Sequence, residues 1–337
     1  MCKDLTTLEL QEIIDGLQMQ KSHHTESELI QTRKEIVLGQ GYQCPHCESK
    51  NYTIHDRTKK FVRLQCKDCK KKYSEHTGTV LAGLHKPHLW PRLVELTMEG
   101  RSLRYIAKDL QISLPTAFTW RHKLLCALKA DQKAKKLSGI VEVDEKEFYL
   151  NEKGSRNLDR KALKRPSDRL DKPQKDKKLT VMVTVERKSR KSSMKLVKKG
   201  RLDKKTLDKE LLTRINKKTT TLCTDAHPTY YGWSNDNDLP HYWVVARKGQ
   251  FTYQDIYHVQ NINSLNSRFN KWFDRFNGVA SKYLSNYLNY FNLLENTKKH
   301  KDKFQRVIFE ILKSSTVKDE YDNINSSFKR FYTSPSI

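Results

Sequence analysis

A chain of 337 residues exceeds what one hydrophobic core usually organises, so two or more modules are expected. Its 65 Lys and Arg against 39 Asp and Glu give a net charge of +26, spread along the chain, which selects a polyanion as partner; RNA-binding proteins share this signature, and an anionic membrane surface is the other alternative. Twelve Gly and nine Pro exclude a collagen-like or linker-rich protein, no apolar run reaches the ~18 residues of a membrane span, and the segment from Met1 to Leu5 opens no signal peptide, so a soluble cytoplasmic protein is expected.

Residues 1–40 read as a helical arm for packing or dimerisation. Thr6 and Glu9 have capping-box spacing, Leu10, Ile13, Ile14 and Leu17 form one apolar stripe, and Leu29, Ile30, Ile36 and Val37 form a second whose one polar member is Arg33. Over residues 41–75 the pattern turns to short β-like pieces lying between Cys44-Pro45-His46-Cys47 and Cys66-Lys67-Asp68-Cys69. Two such knuckles, 18 residues apart, have the spacing of a small β zinc ribbon with one structural Zn2+ per chain. A redox role is the rival, but it lacks a β-α-β context. Seven cysteines, an odd count in a cytosolic chain, argue against a disulfide framework.

Helical periodicity marks residues 84–130. Leu103, Ile106, Ala107 and Leu110 share one face, Gln111-Ile112-Ser113 makes a three-residue turn with Ser113 as N-cap, and a second helix runs from about Leu114 to Leu128. This is the spacing of a helix-turn-helix, with Thr116, Thr119, Arg121 and Lys123 as candidate DNA contacts and Trp120 in the core; an ordinary helical pair is the alternative.

Residues 138–297 alternate strands and helices as an α/β domain: strands at 140–148, 179–185, 193–197, 220–224 and 242–245, a helix at 207–215, and a helix-rich stretch from Val259 to Leu294. The segment 152–178 carries eleven Lys or Arg against five Asp or Glu and reads as a mobile basic loop, in contact with DNA or merely solvated. Residues 298–337 form a C-terminal helix and tail. Within the domain, Val141-Glu142-Val143-Asp144-Glu145 and Leu222-Cys223-Thr224-Asp225 are apolar strands ending in carboxylates. Neighbouring strands of this kind can bring two acids together at one side of a sheet, where a divalent cation relieves their repulsion. Glu142, Glu145 and Glu147 read as solvated strand residues.

The order of these pieces, followed by His258-Val259-Gln260-Asn261-Ile262-Asn263-Ser264, resembles the ISXO-type insertion-sequence transposases with an RNase H-like core, over roughly Gly41 to Glu295. The resemblance implies a DNA transposase in the cytoplasm of a bacterium, associated with the nucleoid and acting as a homo-oligomer on the terminal inverted repeats of its element and on target DNA. It implies a catalytic triad of Asp144, Asp225 and Asn263 holding Mg2+ or Mn2+. The third position is often Glu in the family, though Asn also occurs. A basic residue commonly follows seven positions later, where this chain has Asn270 with Lys271 beside it. The rivals are a non-catalytic zinc-ribbon and helix-turn-helix regulator derived from a transposase, and an RNase H-type nuclease.

Overall fold

The computed structural model describes Gln31, Arg33, Glu35 and residues 42–57, 62–74, 76–128, 136–158, 178–245, 248–299, 303–314 and 316–333. The arm expected at 1–40, apart from those three residues, and most of the basic loop 152–178 lie outside the described residues. The chain is mixed α/β with two sheets, and it divides into two compact units: Met1–Ala127 with Phe304–Asp319, and Leu128–Lys303 with Glu320–Ile337.

In the first unit, β1 (Tyr52–Arg57), β2 (Val62–Cys66) and β3 (Lys72–Ser74) form an antiparallel meander in which Tyr52 faces Cys66 and Leu64 faces Tyr73. Its buried core is Cys44, Leu64, Cys66 and Tyr73, so half of what it buries is thiol. Apolar burial on that scale cannot offset the entropy of ordering the strands. Three helices follow, α1 (Trp90–Met98), α2 (Leu103–Asp109) and α3 (Leu114–Ala127). Leu93, Val94, Ile106, Leu124 and Leu125 are buried, and the Trp90 and Trp120 rings lie 6.2 Å apart. Ser102 caps α2 by accepting the Tyr105 N–H at 3.2 Å, and Ser113 caps α3 by accepting that of Thr116, also at 3.2 Å. Between them Gln111 takes φ +49°, the left-handed step that turns the chain.

Near the end of the sequence, α8 (Lys303–Lys313) returns to this unit with Val307, Ile308, Ile311 and Leu312 buried. Arg33 is itself buried and donates to the Leu312 carbonyl at 2.6 Å, covering an orphan acceptor where the helix dipole is negative. The short helix α9 (Val317–Asp322) begins with the Val317 N–H donating to the Gly78 carbonyl at 2.8 Å.

The second unit is built on β4 (Leu137–Tyr149), β5 (Lys178–Glu186), β6 (Ser192–Lys199), β7 (Ile215–Asp225) and β8 (His241–Val244), in the order β6-β5-β4-β7-β8. The first three strands run antiparallel, whereas β7 pairs parallel with β4 and β8 parallel with β7. The direction of succession therefore reverses at β4. One face carries α4 (Lys204–Glu210) and α5 (Pro228–Asp236), where Val141, Val143 and Leu222 of the sheet enclose Leu207, Tyr230 and Trp233. On the other, α6 (Gln260–Asp274) packs over β4 and β5, and α7 (Leu284–Thr297) packs over β6.

Edge strand β6 is covered in an unusual way. The Asn292 amide exchanges two hydrogen bonds with the backbone of Met194, at 2.8 and 2.9 Å, and Asn296, one turn on, does the same with Ser192 at 2.9 Å each. Two asparagines thus stand in for a missing strand. The last helix, α10 (Ile324–Thr333), lays the Tyr332 ring 4.2 Å from the Lys199 ammonium of the same strand.

Three local expectations shift. The helix expected at 207–215 occupies Lys204–Glu210, and Ile215 already belongs to β7. The stretch from Val259 to Leu294 breaks after Asp274, where Asn277 (φ +51°) and Gly278 (φ +88°) reverse the chain. A polar, Asn-rich composition suggests a loop around Asp236, but the segment contains the end of α5, a helix held by the burial of Tyr230 and Trp233.

Candidate active site and metal centre

The four knuckle cysteines converge. Their sulfur atoms lie within 4.8 Å of one another, with Cys44 and Cys69 Sγ 3.6 Å apart and Cys47 and Cys66 Sγ likewise. Four thiolates at the Zn–S length of ~2.3 Å on a tetrahedron have S···S edges of ~3.8 Å, so the donor set and its spacing fit zinc. The two knuckles are built alike: the residue after each second cysteine, Glu48 and Lys70, takes a positive φ of 60° and 61°. Cys44 and Cys66 are also the ribbon's core, so a metal bound to the four thiols would couple ligation to folding. Cys66→Ser is expected to lower zinc content from one per chain to none and to unfold β1–β3, while the sheet of the second unit survives; elemental analysis and two-dimensional NMR check both.

On α3, Thr116, Thr119 and Lys123 are partly exposed. Arg121 is 3% exposed, and its guanidinium donates to the Arg101 carbonyl. The structure therefore uses Arg121 to fasten α3 to the turn before α2, not as a side chain on the outer face, and His122 beside it is buried as well.

The second site lies where strand succession reverses. The β4–β7 register pairs Glu142 with Cys223, and two residues further along each strand stand Asp144 and Asp225. The Asn266 amide of α6 donates to Asp144 Oδ2 at 2.9 Å. Burial, and then the charges of Glu145 and Asp225, push the Asp144 pKa up to about 6. Asp225 is exposed at the end of β7 and accepts the His227 N–H at 3.2 Å. Glu145, far from being merely solvated, accepts from the buried Tyr230 hydroxyl at 2.7 Å, lies 3.9 Å from His227 Nε2, and has its own pKa raised by burial. Beside these acids opens a cleft of about 610 Å³ lined by Glu145, Lys146, Thr180, Arg201, His227 and Asn266. Crowded, oxygen-bearing side chains at the mouth of a cleft are the donor chemistry that hard divalent cations take.

Glu142 also departs from the solvated reading. It is fully buried, and its carboxylate accepts from Arg187 Nη2 at 3.0 Å and Nε at 3.2 Å, from Asn261 Nδ2 at 2.6 Å and from the Ile262 backbone N–H at 3.0 Å. Arg187 in turn donates to the His258 carbonyl at 3.1 Å. The first half of the His258 motif is thus the socket that seats the start of α6. The signal was present in the alternation: Glu142 and Asp144 are two apart on one strand and share a face. Asn263 lies in the first turn of α6 with its side chain exposed, one turn before Asn266, and Asn270 and Lys271 are exposed further along. Glu147 is the one acid of the three that matches its solvated reading, paired on the surface with Lys178.

Residues 136–296 match the family model of the ISXO2-like transposase domain. This part of the chain, which holds the whole five-stranded sheet, α6 and most of α7, is similar to that family of insertion-sequence transposases. A relative, an uncharacterized protein in transposable element ISH50 of Halobacterium salinarum, is 27% identical over 267 residues, which covers 77% of this chain and 87% of the relative. That alignment is longer than the matched domain, so the likeness extends beyond it.

Proposed function

We propose that the protein is the DNA transposase of an insertion sequence, cutting DNA at the ends of its element and joining them to a target. The observation that carries this reading is the placement of Asp144 and Asp225 on adjacent parallel strands inside a transposase-family domain. The strand order, three antiparallel strands followed on one side by two parallel ones, supports reading the sheet as an RNase H-like core. Asp144, Asp225 and Asn263 would hold two divalent ions, Mg2+ or Mn2+, which supply an activated water or 3′-hydroxyl and stabilise the leaving oxygen. The chain's own contribution is to seat α6 through Glu142, to keep Asp144 aimed through Asn266, and to attract phosphodiester backbone with an excess of cationic residues.

On this reading the zinc ribbon (41–75) and the helix-turn-helix (84–130) select the element's terminal repeats. Thr116, Thr119 and Lys123 face the DNA, and the active species is an oligomer assembled on it. The deciding experiment is a strand-transfer assay with labelled element ends, a target plasmid and Mg2+. Joined products are expected; specific binding with no nicking or joining would favour the non-catalytic regulator instead, and cutting without joining would favour a nuclease. Asn263→Ala is expected to lose strand transfer by at least ~100-fold with DNA binding intact, and Asn263→Glu to retain activity, since a carboxylate is a stronger ligand for a hard cation. If Asn263→Ala works as the parent does while Asp255→Ala or Asp274→Ala is dead, the third ligand lies elsewhere.

A further inference from the structure

Asn266 belongs to none of the motif positions, and yet it is the α6 side chain that touches Asp144. The amide nitrogen faces Asp144 Oδ2 at 2.9 Å, while the other end of the amide, Oδ1, is buried and has no hydrogen-bond partner among the described residues. An asparagine kept only for structure is normally satisfied at both ends, because an orphaned buried carbonyl costs on the order of 1–3 kcal/mol. Here nothing on the far side locks the amide in one orientation. Among the described residues, the group that selects nitrogen over oxygen at the near end is the Asp144 carboxylate.

We propose that Asn266 is a metal ligand, turning its carbonyl oxygen toward Asp144 to share one divalent ion with that carboxylate. The proposal rests on the reading of Asp144 and Asp225 as a cation site. Two features of the geometry carry it. Amide nitrogen and oxygen are nearly the same size, so a half-turn of the terminal torsion exchanges them without moving the helix. The separation then required already exists: neighbouring oxygens of an octahedral Mg2+ site, at ~2.1 Å from the ion, are ~3.0 Å apart, and the near end of Asn266 lies 2.9 Å from Asp144 Oδ2. Without an ion, two oxygens at that distance repel and nitrogen turns inward; with the ion, oxygen does. Asn263 lies three residues earlier, and residues three apart share a helix face, so α6 offers two neutral oxygen ligands to a site whose negative charge comes from the strands.

The test uses the full-length, zinc-loaded protein and Mn2+ as probe. Mn2+ affinity is measured by electron paramagnetic resonance for the parent, Asp144→Asn, Asn263→Ala, Asn266→Ala and Asn266→Ser. Proteins labelled with 13C in the asparagine side-chain carbonyl are then examined by electron–nuclear double resonance. The expected result is Asp144-dependent binding in the parent, about ten- to hundredfold weaker in both Asn266 variants, and a 13C coupling that persists in Asn263→Ala, where Asn266 alone can supply it, but is lost when Asn266→Ala is added to Asn263→Ala. Affinity unchanged in both Asn266 variants, or no 13C coupling in Asn263→Ala, or one that survives in the Asn263→Ala/Asn266→Ala double variant, overturns the assignment and leaves Asn266 as a hydrogen-bond donor that aims Asp144. A parent with no Asp144-dependent Mn2+ binding overturns the underlying cation site, and the Asn266 assignment with it.

Discussion

Asp144→Asn is expected to abolish strand cleavage and joining and, in the absence of divalent ions, to make the protein more stable than the parent at pH 8. The folded carboxyl keeps its proton up to a pH of about 6, against the ordinary 3.8 of an Asp, because burial and then the charges of Glu145 and Asp225 disfavour its ionised form. Between those two values the folded state binds more protons than the unfolded one, so this group's stabilisation is full below pH ~4 and is lost as pH rises through ~6. At pH 8 the ionised Asp144 costs the apo protein up to about 3 kcal/mol. Asparagine carries no such charge and can still accept from the Asn266 amide. Thermal unfolding should therefore show the variant melting ~4–10 °C above the parent at pH 8, with the gap closing at pH 4. Adding Mg2+ or Mn2+ should raise the parent selectively, since only its folded state has the ionised ligand. A variant no more stable than the parent at pH 8 would show that Asp144 is not strained by its neighbours.

Glu142→Ala should have the largest effect on the fold of the second unit. It leaves the Arg187 guanidinium and the Ile262 N–H without the buried carboxylate that now holds both. Removing one partner from a buried ion pair typically costs ~3–5 kcal/mol. The damage should be local as well as global: amide hydrogen exchange at Ile262 and Asn263 is expected to speed up by more than at any other site in α6, and strand transfer to disappear while zinc content stays at one per chain. Glu142→Gln keeps the shape and one acceptor oxygen, so it should fall between the two. Unchanged exchange in the first turn of α6 would show that the helix is seated by packing against the sheet alone.

Much of this arrangement was legible in residue order. Alternating Val141 and Val143 marked the central strand, the knuckle spacing marked the four converging thiols, and Ser113 marked the start of α3, because each is a local pattern with a local cause. What escaped depends on partners remote in sequence. Glu142 looks like any strand glutamate until Arg187, 45 residues on, and Ile262, 120 residues on, close over it. Arg121 sits on the helix expected to face DNA, and only the placement of the Arg101 carbonyl shows that its charge is spent inward. Asn266 could not be distinguished from its neighbours Asn261, Asn263 and Asn270 without knowing which of them meets Asp144.

The way α8 closes the first unit bears on how the protein is made. Its Leu312 carbonyl is the one that Arg33 covers, and the Val317 N–H meets Gly78, so segments as many as 279 residues apart in the sequence complete a single body. A ribosome adding ~5–20 residues per second must first synthesise the whole segment that matches the ISXO2-like transposase domain, for roughly ten to thirty seconds, before the helix that finishes the earlier unit emerges. During that interval the earlier part of the unit lacks α8 and leaves uncovered the surface that will bury Val307 and Ile311, and it becomes complete only after the five-stranded sheet has been synthesised. Chains released early, by premature termination or ribosome stalling, would therefore carry an unfinished N-terminal unit, a built-in bias toward full-length molecules among those with both halves intact.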